Sequence, residues 1–196
     1  MTSIGSYAFS SCTGLTSIVI PDSVTTIGDS AFNRCTGLTS IAIPDSVTTI
    51  GSAVFAGCIR LTSVTIGSGL KTISQQAFND CTGLTSINIP DTVTSIGGAA
   101  FYNCTGLASV TIGSGVTSIV TNSFYGCTNL ESITINLQTA PTYCFGTGSS
   151  TAGYNKRTAG TNMLYVPANA TGYEEGNWTA YLCNSNYGGF TLSKTL

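Results

Sequence analysis

Residues 15–37 read LTSIVIPDSVTTIGDSAFNRCTG, and residues 38–60 repeat them as LTSIAIPDSVTTIGSAVFAGCIR. The 23-residue step continues along the chain without an insertion, and five apolar columns keep the same phase. A fixed period of this length is typical of solenoids, in which each unit packs on its neighbours. The columns hold Cys12, Cys35, Cys58, Cys81, Cys104 and Cys127, six phenylalanines from Phe9 to Phe124, six isoleucines from Ile4 to Ile119, six leucines from Leu15 to Leu130 and six isoleucines from Ile20 to Ile135.

Each unit contains two stretches that favour an extended backbone. Apolar residues alternate with smaller ones over 15–20, which predicts a half-buried strand. Pro21 and Asp22 then predict a turn, because proline cannot donate to a strand ladder and aspartate bonds readily to its own backbone. The β-branched residues of 24–27 predict a second, shorter strand.

The third segment of the unit, residues 30–35, is expected to form one helical turn with Asp29 or Ser30 as its cap.

A single unit cannot fold alone. Full burial of an apolar side chain stabilises it by about 1.5–3 kcal/mol, whereas ordering the backbone costs about 1–2 kcal/mol for every residue. We therefore expect successive units to stack, with rungs about 4.8 Å apart and equivalent side chains directly above one another.

The pattern LxxIxIPxxVxxIGxxAFxxC, in units of 23 residues, closely resembles the BspA-type leucine-rich repeat family, and the resemblance runs from Ile4 to about Ile135. It implies a β-rich, right-handed solenoid with a parallel β-sheet of stacked 23-residue coils, as found in bacterial cell-surface proteins. Short helical turns are expected to link the strands. Departures from the pattern affect only local turns: Gly67 and Gly113 replace proline, Val54 and Ser123 replace alanine, Ser74 and Val120 replace the corner glycine, and Arg60 replaces a glycine.

The repeat divides the chain into a leucine-rich repeat solenoid over 1–140, with an incomplete first unit, and a C-terminal capping segment over 141–196 of the same domain. Within the capping segment, 163–167 predicts a strand ended by proline, and 171–182 predicts a short amphipathic helix that covers the last coil. This α+β cap is similar to terminal segments of the family. Because the first unit lacks its leading strand, we expect either a longer protein or self-association through the N-terminal end.

Composition excludes several classes of function. Charged residues make up only 7% of the chain, the formal net charge is −2, and histidine is absent. A Ser-His-Asp triad and an imidazole metal site are therefore excluded, and the scattered basic residues offer no surface for nucleic acid or an anionic membrane. We find no phosphate loop, cofactor fingerprint or nucleophile with a base. The sequence predicts no enzyme, no metal site and no cofactor.

Two columns of reactive side chains have a structural interpretation. The cysteine column predicts buried free thiols, because zinc sites need closely spaced cysteine pairs. Cys144 and Cys183 lie outside that column and either form a disulfide or stay free, with the free state favoured. Asp22, Asp45 and Asp91 share one turn position, where they could bind a cation or form a carboxylate pair. Turn formation through each residue's own backbone is the stronger interpretation.

Solenoids bind partners on the exposed face of their strands, and here that face, which we call the strand face, carries small hydroxyl side chains. It predicts weak, multivalent adhesion, with a simple solvated surface as the alternative. A second candidate, for sugar or protein, is the aromatic cluster Tyr173, Trp178 and Tyr181 in the capping segment, although covering the last coil is its favoured role. The candidate residues of the strand face are Ser40, Ala42, Ser63, Thr65, Ser86, Asn88, Ser109 and Thr111.

Together with the family resemblance, these features predict a non-enzymatic cell-surface or secreted protein that adheres to host matrix proteins or to other cells. The expected partner is a protein on the host or on neighbouring cells, with a glycan as a second possibility. Nucleic-acid binding and membrane insertion are not expected. The alternative functions are a structural stalk that presents another domain and carbohydrate binding through the aromatic cap.

Overall fold

The computed structural model shows a parallel β-solenoid of about six coils of 23 residues. It describes residues 1–120, 122–137, 162–165, 168–169, 171 and 190–193, and none of these is helical. The central coils contribute a long and a short strand each, whereas residues 1–37 contribute only two short strands. The long strands are β3 (Ser40–Ile43), β5 (Ser63–Ile66), β7 (Ser86–Ile89), β9 (Ser109–Ile112) and β11 (Ser132–Ile135), and the short strands are β1 (Ser3–Ile4), β2 (Thr26–Ile27), β4 (Thr49–Ile50), β6 (Thr72–Ile73), β8 (Ser95–Ile96) and β10 (Ser118–Ile119).

The strands pair in parallel with a register of one repeat. Ser40 lies opposite Ser63, and the same step aligns β7 with β9 and β9 with β11. The short strands follow it too, since Thr26 lies opposite Thr49. The predicted stacking of equivalent residues is therefore confirmed.

The long strands form two sheets, β3 with β5 and β7 with β9 and β11, and the second sheet continues beyond the repeats. Two further strands, β12 (Asn162–Tyr165) and β13 (Phe190–Ser193), extend the sheet in parallel from β11. The strand predicted over 163–167 is thus confirmed, with bounds one to two residues earlier. The helix predicted over 171–182 lies outside the described residues apart from Thr171.

The strand predicted over 15–20 is wrong, because this stretch is not assigned to any strand. The Thr39 amide and hydroxyl both donate to the Thr16 carbonyl, at 3.2 and 3.3 Å, yet regular pairing begins only with β3 and β5. Val19 is 89% exposed. A segment at the end of the stack has a neighbour on one side only, which removes half of the pairing available to a central strand.

Residues 30–35 and their equivalents, here called the turn segments, form consecutive tight turns, so the predicted helical turn is wrong. Two positions in each coil have positive φ, between 52° and 77°, and every second backbone N–H therefore points at the next coil. Phe32 N–H donates to the Val54 carbonyl at 2.9 Å, and Asp29, predicted as a cap, accepts from Ser52 N–H at 2.7 Å. A helix cannot make such bonds, because its N–H groups bond along its own axis.

The core is a set of ladders that run along the solenoid. Adjacent phenylalanine rings from Phe9 to Phe124 stack with centroids 5.1–5.5 Å apart and interplanar angles of 3–12°. The four central rings are fully buried, whereas Phe9 in the first coil is only half-buried. Each ring is covered by its neighbours, so the core is continuous from coil to coil. None of the described segments forms a helix that is long and apolar enough to cross a membrane.

Candidate functional site

The long strands place the predicted binding residues on one surface. Alternation within β3 buries Ile41 and Ile43 and turns Ser40 and Ala42 outward, and the later long strands repeat this arrangement. The first six predicted residues are exposed, and Ser109 and Thr111 are half-buried. The strand face thus consists of two columns on each of two strand pairs: Ser40 and Ser63 beside Ala42 and Thr65 on β3 and β5, and Ser86 and Ser109 beside Asn88 and Thr111 on β7 and β9.

The strand face is uncharged and, apart from Ala42, polar. The column beside it uses its hydroxyls internally, since Thr62 Oγ1 donates to the Thr39 carbonyl at 3.1 Å and Thr39 Oγ1 to the Thr16 carbonyl at 3.3 Å. The hydroxyls and the Asn88 carboxamide of the face itself can exchange hydrogen bonds with a polar partner. Large anchoring side chains such as tryptophan, tyrosine or arginine are absent from the eight residues, so each contact is expected to be weak.

The aspartates in the turns after the long strands bond to the next coil, which differs from the prediction. Asp45 Oδ1 accepts from Ser68 N–H of the next coil at 2.6 Å, and Asp91 Oδ1 accepts from Ser114 N–H at 2.6 Å. These bonds lower the pKa of both carboxyls below the ordinary value of 3.8. The prediction that each aspartate bonds to its own turn is therefore wrong for this pair. The following Gly-Ser-Gly turn makes the approach possible, because a Cβ at Gly69 would collide with the Asp45 carbonyl.

The cysteine column forms buried free thiols from Cys35 onward, as predicted. Each of these thiols donates to a phenylalanine carbonyl 26 residues earlier, as Cys58 Sγ does to Phe32 O at 3.2 Å. Burial raises the pKa of Cys58 to about 12, which keeps its thiol protonated and unreactive at neutral pH. The prediction of burial is wrong for Cys12, which is exposed because the first coil has no coil packed ahead of it in the structure.

No group of three or more cysteine, aspartate, glutamate or histidine side chains that could hold a metal ion is found within the described coils. The candidate residues Tyr173, Trp178 and Tyr181 of the capping segment, together with Cys144 and Cys183, lie outside the described residues. The division between a solenoid over 1–140 and a capping segment over 141–196 stays a prediction.

Two tyrosines on the turn segments form an aromatic pair that the sequence analysis did not single out. Tyr102 and Tyr125 stack with ring centroids 5.1 Å apart and an interplanar angle of 15°, and both are half-buried. Their separation equals the repeat, so the register alone could have predicted the pair. At the same position, the earlier coils carry Ser10, Asn33, Ala56 and Asn79.

Comparison with known families agrees with the coil geometry. The model of the BspA-type leucine-rich repeat region matches in six copies, over residues 2–130 and 71–156. The chain belongs to this family. The predicted resemblance is thus confirmed, and with it a relationship to bacterial leucine-rich repeat proteins built from units of about 23 residues.

Several solved structures resemble this BspA-type chain. The leucine-rich repeat protein of T. pallidum superposes with a TM-score of 0.55 and 32% identity, over 57% of this chain and 52% of that one. A leucine-rich repeat protein from Eubacterium ventriosum gives a TM-score of 0.61 and 29% identity, over 67% and 38%. The pneumococcal vaccine antigen PcpA shares the fold, with a TM-score of 0.62 and 20% identity over 89% and 40%.

This chain therefore spans about half or less of each of these three proteins. No curated protein matches the sequence.

Proposed function

We propose that this chain is the binding solenoid of a non-enzymatic bacterial cell-surface or secreted protein, which adheres to proteins of the host matrix or of neighbouring cells through its strand face. The observation that carries the proposal is the alignment of outward-facing residues in two columns, set by strand pairing between β3 and β5 and again between β7 and β9. Membership in the BspA-type family supports the same function. Neither the composition nor the described coils provide a group of side chains suited to catalysis.

The chemistry of the face indicates how such adhesion would work. Ser86 and Ser109, like Ser40 and Ser63, present similar hydrogen-bonding groups about 4.8 Å apart on paired strands. A repetitive partner that hydrogen-bonds to one coil can therefore make equivalent hydrogen bonds to the next coil. Each contact is weak, but contacts that act together raise the apparent affinity by about 10²–10⁴-fold. Binding is therefore expected to be detectable on a dense surface and weak for a single partner molecule in solution.

The test is a solid-phase assay on immobilised matrix proteins and mucins. The double variant Thr65→Glu/Asn88→Glu places two unpaired charges on exposed positions at the centre of the strand face, and retention should fall at least about tenfold. The matched control is Thr49→Glu/Thr72→Glu, which puts two charges one coil apart on exposed positions of the short strands and should bind like the unmodified chain.

Two results would contradict the proposal. If both double variants were retained equally, the strand face would not be the binding surface. If the unmodified chain were retained no better than a scrambled-repeat control, the adhesive function itself would be wrong, and a structural stalk would account better for the fold.

A further inference from the structure

The Tyr102–Tyr125 pair is a large aromatic surface at a position where coil packing does not require one. The phenylalanine ladder already fills the core of every coil. Both tyrosines remain partly exposed to solvent. The first four coils stack with small side chains at this position, namely Ser10, Asn33, Ala56 and Asn79.

The Tyr102 ring projects from the surface of the turn segments on the side of the preceding coil. One face of its ring is covered by Tyr125 at 5.1 Å, while Asn79 takes the equivalent position in the preceding coil. Asparagine is much shorter than tyrosine, so the outer part of the Tyr102 ring stands above it. Neighbouring coils are close together here, as the centroid distance of 5.3 Å between Phe78 and Phe101 shows.

Two polar residues, Asp80 and Asn103, are bonded through their backbone N–H groups to the coils that carry the tyrosines. Asp80 N–H donates to the Tyr102 carbonyl at 2.8 Å, and Asn103 N–H donates to the Tyr125 carbonyl at 2.7 Å. Asp80 and Asn103 are half-buried, with positive φ of 56° and 58°. Gly126 leaves space for the Asn103 carboxamide, since a Cβ at Gly126 would collide with Asn103 Oδ1. The backbones of Asp80 and Asn103 are therefore fixed in the coils that precede Tyr102 and Tyr125, and these two residues carry a carboxylate and a carboxamide.

We propose that Tyr102 and Tyr125, together with Asn79, Asp80 and Asn103, form a binding site for a neutral carbohydrate. The apolar face of a sugar ring packs against the exposed part of Tyr102, and its hydroxyls exchange hydrogen bonds with the carboxamides and the carboxylate. The absence of a basic cluster in the sequence disfavours phosphate-bearing ligands such as nucleic acid. The site lies on the turn segments, so it is separate from the strand face and takes a different class of ligand.

The test uses the full chain and a panel of neutral oligosaccharides, namely hexamers of β-linked glucose, N-acetylglucosamine and galactose, with affinity measured by calorimetric titration. At least one of them should bind. Tyr102→Ala should weaken that binding at least about fivefold, whereas Tyr102→Phe, which keeps the ring, should change it less than about twofold. The matched control is Tyr7→Ala, which removes a tyrosine from the first coil that is 66% exposed and should have no effect.

Far-UV circular dichroism and the melting temperature show whether each variant is folded, and Tyr102→Phe keeps the test valid if Tyr102→Ala is not. Retained sugar binding by Thr65→Glu/Asn88→Glu would separate this site from the strand face. The proposal is overturned if no member of the panel binds or if folded Tyr102→Ala binds as tightly as the unmodified chain. Tyr102-dependent binding of a protein but of no sugar would equally overturn the assigned ligand class.

Discussion

The phenylalanine ladder predicts that the cost of removing a ring depends on how many rings stack on it. Phe78 is fully buried between Phe55 and Phe101, at centroid distances of 5.5 and 5.3 Å. Phe9 is half-buried and stacks on Phe32 at 5.1 Å. An aromatic pair contributes about 0.5–1.5 kcal/mol beyond the burial of its area. Phe78→Leu loses two pairs, so it should cost about 1–3 kcal/mol, and Phe9→Leu should cost about half as much.

Urea titration followed by far-UV circular dichroism measures both free energies of unfolding. In the same assay, the double variant Phe55→Leu/Phe78→Leu should be non-additive, because the two rings are in contact. Phe32→Leu/Phe101→Leu, three coils apart, should be additive within about 0.3–0.5 kcal/mol. Equal costs for Phe78→Leu and Phe9→Leu, or additivity of the neighbouring pair, would refute the nearest-neighbour account of this fold.

Contacts of the turns, thiols and carboxylates give three more predictions. Gly69→Ala should lower the free energy of unfolding by about 1–3 kcal/mol, because its Cβ would collide with the Asp45 carbonyl; Gly14→Ala, whose Cβ meets nothing within 4 Å, should cost far less in the same urea titration. Iodoacetamide should alkylate exposed Cys12 in the folded protein but not Cys58, whose pKa is raised to about 12; peptide mass spectrometry reads this out, and labelling of native Cys58 would contradict it. The folded-state pKa of Asp45 is lowered from 3.8, so its carboxylate stabilises the fold above pH 3.8 and loses this effect as the pH falls through the lower folded-state value. Asp45→Asn should therefore reduce the difference in Tm between neutral pH and about pH 3. An unchanged difference in Tm would count against the bond to the next coil.

The 23-residue period carries most of the information about this fold. Because equivalent residues recur in phase, it predicts the parallel register that places Ser40 opposite Ser63. It also predicts the stacked phenylalanines and the buried thiols. The outward direction of Ala42 and Thr65 follows from the alternation of side chains along a strand. The strand face could therefore be predicted residue by residue, although its ligand could not.

Two errors, the strand over 15–20 and the burial of Cys12, lie at the first end of the stack, and the others arise where one coil hydrogen-bonds to the next. Residues 30–35 have the composition of a capped helical turn, and local propensity cannot show that Phe32 N–H donates to the Val54 carbonyl instead. The same limit applies to Asp45, whose partner is Ser68 in the following coil. Such bonds depend on how closely two turns approach, and that distance is a property of the stack.

The central claim is that each 23-residue unit advances the chain by one rung. Spin labels on cysteines introduced at Ser40 and Ser109, and in a second protein at Ser40 and Ser132, measure this by double electron–electron resonance. The exposed native thiol Cys12 and the two cysteines beyond the described coils are first replaced by serine. The pairs span three and four coils, so the second distance should exceed the first by about 5 Å. Equal distances, or a shorter second distance, would contradict the stacked-coil account.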